Sequence, residues 1–189
     1  MWSLNRSALP QDIPGVFFLG MVHFEMGIIT MNTFQRRTFM QTTMLEQQTL
    51  NKEQLRQAIL NFAKGRDTGF LGTTGPAGLR VSPVKYFMDD DLNIYIHSKG
   101  GSKFDNLSSS REVCLLVSSP FKDDFHQIKG VQFFGTAQVV EPNSELYSRA
   151  EELCPWRHDY DVKLIYLPCD RAIYVDRISL EHIKQEWKR

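Results

Sequence analysis

The chain carries no excess of either charge: Lys+Arg and Asp+Glu are both 22, the formal net charge is +0 and the pI is about 7.0. That balance excludes a broad phosphate-backbone footprint, so a nucleic-acid partner is not expected. Cysteine is scarce. Cys114, Cys154 and Cys169 are an odd set with no C-x-x-C spacing, which excludes a disulfide framework and a structural zinc site. No metal is expected, and a reducing cytoplasm is the simplest location. Long hydrophobic runs are also missing. Val16 to Met31 is interrupted by His23 and Glu25 and falls short of the roughly 18 apolar residues of a membrane span. Only Arg6, countered by Asp12, precedes it, and no small-x-small cleavage site follows, so a signal peptide is not expected either. Repeats and low-complexity tracts are absent.

What is present suits a folded protein. Hydrophobic residues make up 42% and charged residues 23% of 189, enough apolar material for one core plus an appendage. The composition shifts near residue 45. Met1, Met21, Met26, Met31, Met40 and Met44 precede that point, and only Met88 follows it. The same stretch has no helical or strand period and holds Pro10, Pro14 and Gly15 as breakers. Residues 1–48 therefore read as a poorly structured N-terminal extension, and 49–189 as the folded domain. A membrane-facing or partner-binding arm is the functional alternative for the extension, and a start codon placed too far upstream is the trivial one.

From Asn51 the pattern is legible. Leu55, Ala58, Ile59, Phe62 and Ala63 follow helical spacing, predicting an amphipathic helix over 51–64. Asn51 and Gln54 form a capping-box pair, and Gly65 is placed to end the helix. Strands are expected over 68–74, 79–88, 92–98, 113–118, about 125–140 and roughly 162–175. Pro83 marks the second of them as an edge, a bulge or a ligand-facing strand. In the third, Leu92, Ile94 and Ile96 alternate with Asn93, Tyr95 and His97. Short helices are expected over 102–109, capped by Ser102, in a segment opened by Pro142, and over 179–187. Six strands, close turns and only local helices predict a mainly β fold, a small six-stranded antiparallel barrel with flanking short helices.

The most informative cations are Arg80 and Lys85, near opposite ends of the second strand, and Lys103, in the first turn of a short helix. A cation at a helix N-terminus is unfavourable unless an anion offsets it. A phosphate there would accept from free amides, from Ser102 and from Lys103 together; alternatively Lys103 simply projects into water. Cys154-Pro155-Trp156-Arg157-His158 has no ligand spacing that supports a nucleophile or metal site. Cys154 reads better as the end of a helix and Trp156 as packing against the barrel.

The order of these pieces carries more than any one of them. FLGTT, LRVSPVKYF, NIYIHSKGGSKFDNL, VCLLVSS and KGVQFFGTAQVVE follow one another from Thr68 to Val140, and in that order they resemble the pyridoxamine 5′-phosphate oxidase-like family of split-barrel flavoproteins. The resemblance implies FMN held between the subunits of a homodimer, with a small-molecule substrate or electron donor. It implies that Arg80 and Lys85 flank the flavin-binding strand, with Arg80 on the phosphate. Val81, Ser82 and Pro83 would approach the ring edge, Ile96 and His97 would lie beside the phosphate and ribityl chain, and Ser102 and Lys103 would clamp the phosphate. Two departures matter. Gly130 stands where the oxidase has a flavin-contacting Gln, and Tyr147-Ser148-Arg149 only faintly echoes its substrate segment. The reading is therefore an FMN-dependent oxidoreductase of that family, not the vitamin B6 oxidase itself, with no catalytic side chain named. A non-catalytic flavin or haem binder is the alternative, and a flavin-free structural relative the third possibility.

Overall fold

The computed structural model describes residues 49–121, 124, 126–157, 162–179 and 182–189. The expected extension, 1–48, and His158 lie outside them. The first helix, α1 (Lys52–Lys64), begins as the sequence predicts. The Asn51 side chain accepts from the Gln54 amide at 2.9 Å, and the Gln54 side chain accepts from the Asn51 amide at 3.0 Å. Gly65 ends the helix. Leu55, Ile59, Leu60, Phe62 and Ala63 are buried; each large apolar side chain removed from water contributes about 1.5–3 kcal/mol.

Among the described residues ten strand segments follow: β1 (Thr68–Thr73), β2 (Arg80–Lys85), β3 (Phe87–Met88), β4 (Asn93–Ser98), β5 (Glu112–Ser118), β6 (Lys129–Thr136), β7 (Gln138–Val140), β8 (Lys163–Pro168), β9 (Arg171–Asp176) and β10 (Ile183–Lys188). Helix α2 (Ser102–Ser109) lies between β4 and β5, and α3 (Glu145–Leu153) between β7 and β8. A six-stranded sheet has the order β10-β9-β6-β5-β1-β2, and a four-stranded sheet the order β3-β4-β8-β7. All pairings are antiparallel. The architecture is a mainly β split barrel.

Three of the expected strands each break into two pieces, one in each sheet: β2–β3, β6–β7 and β8–β9. The corners are Tyr86, Ala137 and Cys169, all fully buried. Their neighbourhoods are held by bonds that leave the ladders: Tyr86 N to Asp67 O, Ala137 N to Arg111 O, and Asp170 N to Phe134 O, at 2.8–2.9 Å. A buried backbone group at a bend must find such a partner. Gly135 sits where β6 crosses the β8–β9 corner. A Cβ there would collide with the Pro168 carbonyl oxygen. Pro83 is on β2, the edge strand, where a missing N–H costs no ladder bond.

Three local expectations need correction. Residues 183–188 form strand β10, not a helix. Ile183 and Trp187 face the core, and Gln185 shares their side of the strand. A polar residue in the middle of the inward row hid the period-two alternation, and the four-residue spacing of the other two imitated a helix. Gln185 is inward because it exchanges two bonds with the Leu50 backbone, at 2.9 and 3.1 Å. Gly101, not Ser102, is the N-cap of α2, with no side-chain cap. Ser144, rather than Pro142, opens α3, accepting from the Tyr147 amide at 3.2 Å. Asp89, before β4, accepts from Asn93 N, Asn93 Nδ2 and the Tyr95 hydroxyl.

The main core joins α1 to the inner faces of both sheets. A second cluster, Phe87, Tyr95, Val140, Ala150 and Leu164, lies under α3. Both faces of β4 are therefore covered, which is why Tyr95 is buried as well as Ile94 and Ile96.

Candidate functional site

The β1–β2 turn and helix α2 are built as one unit. Gly78 takes φ 76°, a left-handed conformation open to glycine, and its amide closes the turn on Gly75 O at 2.8 Å. A Cβ on Gly75 would meet Asn106 Cα at 2.8 Å, so the turn packs directly on the helix. Asn106 is fully buried and joins the two. Its Oδ1 accepts from Ala77 N at 2.9 Å, while its Nδ2 donates to Gly78 O at 2.8 Å and to Thr73 Oγ1 at 3.1 Å.

Two of the expected cations belong to this unit. Arg80, exposed at the start of β2, donates from Nε to Ala77 O at 2.9 Å. Lys103, in the first turn of α2 and one helical turn before Asn106, donates from Nζ to Gly100 O at 2.6 Å. Each donates to a backbone carbonyl rather than to a carboxylate. Partial burial pushes the Lys103 ammonium below its ordinary pKa, because desolvation disfavours its charged form. Ser102 precedes it, half-buried.

Lys85 is in different company. At the far end of β2 it lies 3.4 Å from an Asp67 carboxylate oxygen and 4.3 Å above the Trp156 ring. Beside it opens a cleft of about 430 Å³, lined by Lys64, Arg66, Tyr86, Phe87 and Trp156 among others. Trp156 packs edge-on against Phe87 at 5.4 Å, as its position after α3 suggested. Between the two cations, Val81 is 67% exposed and Ser82 half-buried. As an edge strand, β2 presents unpaired backbone groups on its outer side.

Ile96 and His97 point to opposite sides of β4. Ile96 is in the core. His97 is largely buried beneath α3, with Nε2 at 2.8 Å from Glu151 Oε1 and its ring 5.4 Å from Phe87 and 6.1 Å from Tyr147. The structure thus brings Arg80, Ser102 and Lys103 to one turn–helix unit, sets Lys85 apart, and encloses the His97 side chain in the α3 contact. Asn106 and Glu151 are the residues that sequence reasoning missed. For Asn106 the signal was available: it stands beside Leu107 on the inward stripe of α2, where a polar residue needs internal partners.

The outer face of the six-stranded sheet is apolar for much of its width. The cross-strand row Pro83, Phe70, Leu116, Gln132 and Ile173 runs across it, and Phe70 is 47% exposed. Val81 and Leu116 are exposed on the same sheet. Among the described residues no group of three or more His, Cys, Asp or Glu could hold a metal, and no helix is long and apolar enough to cross a membrane.

Comparison with known proteins adds the following. A family model described as pyridoxamine 5′-phosphate oxidase matches residues 55–161. General stress protein 26 from Bacillus anthracis superposes with a TM-score of 0.53 at 16% identity, covering 71% of this chain and 98% of that one. A protein related to general stress protein 26, of the pyridoxinephosphate oxidase family, from Clostridium acetobutylicum gives 0.54 at 12% identity, covering 74% and 96%. A haem-binding protein from Mycobacterium smegmatis gives 0.57 at 15% identity, covering 75% of this chain and 59% of that one. Among curated proteins none matches the chain by sequence.

Proposed function

The chain belongs to the pyridoxamine 5′-phosphate oxidase family, and on that premise we propose that residues 49–189 bind FMN and act as an oxidoreductase on a small molecule. The observation that carries this reading is the pair Arg80 and Lys103. They come from a strand and a helix, belong to one turn–helix unit joined by the Asn106 bonds, and each donates to a carbonyl instead of a carboxylate. A phosphate fits that donor set. It would compensate the desolvation of Lys103 and take the first-turn amides of α2 that no side chain caps.

Arg80, Ser102 and Lys103 would hold the phosphate. The outward backbone of Val81, Ser82 and Pro83 would lie along the ring, with Lys85 at its far end. Ile96 has its side chain in the core, so its contribution beside the ribityl chain would be backbone. His97, held by Glu151, would keep the neighbouring segment of β4 in place. FMN when bound supplies hydride and electron transfer; these residues bind it, orient it and shield it from water. A second copy of the chain would cover the apolar row around Phe70 and Leu116, making the protein a homodimer with flavin between the subunits. Three unpaired thiols suit a cytoplasmic setting. A non-catalytic flavin or haem carrier is the competing reading, and the absorption spectrum of the purified protein, flavin bands against a Soret band, separates the cofactors.

The test is the dissociation constant of FMN and of riboflavin, measured by flavin fluorescence for Arg80→Ala, Lys103→Ala and the exposed control Lys52→Ala. A charge-assisted bond to phosphate contributes roughly 1.5–3 kcal/mol. Each clamp variant should therefore bind FMN about ten- to a hundredfold more weakly, at about 1.4 kcal/mol per decade. Riboflavin, which lacks the phosphate, should be unaffected. Equal FMN affinity in Lys103→Ala and Lys52→Ala would refute the clamp.

A further inference from the structure

Asn106 is polar, fully buried, and has every bond its side chain makes directed outside its own helix. An apolar residue at that position of α2 would join the core beside Leu107, but it would strand the Ala77 amide and the Gly78 carbonyl. A carboxamide there needs all of its partners inside the protein, since each one left unmade costs a desolvated polar group. Its partners span the end of β1 and the β1–β2 turn: Thr73, Ala77 and Gly78. One of these, Ala77, is also the residue whose carbonyl receives Arg80. The helix that carries Asn106 also carries Lys103, one turn earlier on the same side. The contact is close as well as bonded, because the turn leaves no room for a side chain at Gly75.

We infer that Asn106 is the positioning residue of the anion site: through Ala77 and through α2 it fixes Arg80 relative to Lys103, and so sets the spacing that a phosphate monoester must match. The inference rests on the phosphate reading given above. It adds that two cations on separate elements act as one receptor only because a buried amide without charge joins their supports. Preorganisation of this kind spares the ligand the ordering of two long side chains. Asn106 touches no ligand in this scheme. It acts entirely through the residues it holds.

The experiment measures FMN and riboflavin dissociation constants for Asn106→Leu in two backgrounds, the wild-type chain and Arg80→Ala/Lys103→Ala. Leucine keeps much of the volume and removes all three bonds. FMN should weaken about tenfold or more in the wild-type background, with riboflavin changed by less than about threefold, since only the phosphate loses its matched receptor. In the double-variant background the same substitution should cost nothing further, because there is no longer a pair to hold in register. If Asn106→Leu does not fold, the same comparison is made with Asn106→Asp, which keeps the shape and the Ala77 contact but cannot donate to Gly78 and Thr73. Loss of FMN and riboflavin in equal measure, or an equal loss in both backgrounds, would show a purely structural role and overturn the inference while leaving the clamp standing. If Arg80→Ala and Lys103→Ala fail to weaken FMN selectively, the phosphate reading falls, and this inference with it.

Discussion

Replacing Gly135 with alanine sets a methyl group against the carbonyl oxygen of Pro168, with the Leu167 side chain 3.0 Å away on the same side. The obstacle is backbone, at the corner where β8 turns into β9, and that corner is already fixed by the bond from Asp170 N to Phe134 O at 2.9 Å. Neither side can rotate away. Relief requires β6 to separate from the corner, loosening the contacts of Phe133 and Ala172, which are completely buried neighbours across β6 and β9. Forcing one extra carbon into a packed core costs about 1–3 kcal/mol, and an immovable obstacle puts Gly135→Ala at the top of that range. With a urea m-value of roughly 2 kcal/mol per molar, a loss of about 3 kcal/mol lowers the unfolding midpoint by about 1.5 M. The control is Gly72→Ala on β1, where the nearest atom to a new Cβ is Cys114 O at an ordinary 3.4 Å. It should be neutral or stabilise by up to about 1 kcal/mol through the unfolded chain. Urea titrations followed by tryptophan fluorescence compare the two directly. Equal midpoints for Gly135→Ala and wild type, or equal losses in the two variants, would refute the account of the crossing.

Two further outcomes follow from buried polar groups. Asp176 accepts from Lys129 Nζ at 2.6 Å and from the amides of Ile178 and Ser179; burial raises its pKa, but these partners outweigh that and hold it below the ordinary value. A depressed carboxylate contributes stability above its unfolded pKa of about 4, and that contribution is lost as pH falls through the folded value. The stability gap between wild type and Asp176→Asn should therefore be widest near neutrality and shrink on acidification, and a gap independent of pH would contradict the assignment. Tyr86 donates its hydroxyl to Ala63 O at 2.7 Å in the core; that carbonyl also accepts from Arg66 N at 3.0 Å, so Tyr86→Phe removes one of its donors and should cost about 0.5–1.5 kcal/mol, measured as a shift in urea midpoint with unchanged slope.

How far the sequence reaches depends on how local each cause is. The capping box of α1 lies within four residues and could be named from them. The corners could not. Tyr86, Ala137 and Cys169 are ordinary strand residues, and nothing in an alternating pattern says that a strand leaves one sheet for another; that decision is made by bonds to Asp67, Arg111 and the 134–170 crossing. The candidate site divides in the same way. Arg80 and Lys103 are recognisable because cations at the start of a strand and of a helix are chemically conspicuous. Asn106 was passed over because its meaning lies in partners 28–33 residues away. His97 shows the converse. Its position on β4 was legible, but its burial depends on α3, and Glu151 lies 54 residues further along the chain.

The exchange between Gln185 and Leu50 has a consequence for how the protein is made. Gln185 bonds both the amide and the carbonyl of a residue 135 positions earlier, and β10 beside it inserts Trp187 into the same core that receives Leu55 and Ile59. Helix α1 therefore has no finished surface to settle on as it leaves the ribosome until β10 is free of the exit tunnel. Closure is a late and non-local event, of the kind that folds slowly, and during synthesis the apolar side of α1 stays open to whatever holds nascent chains.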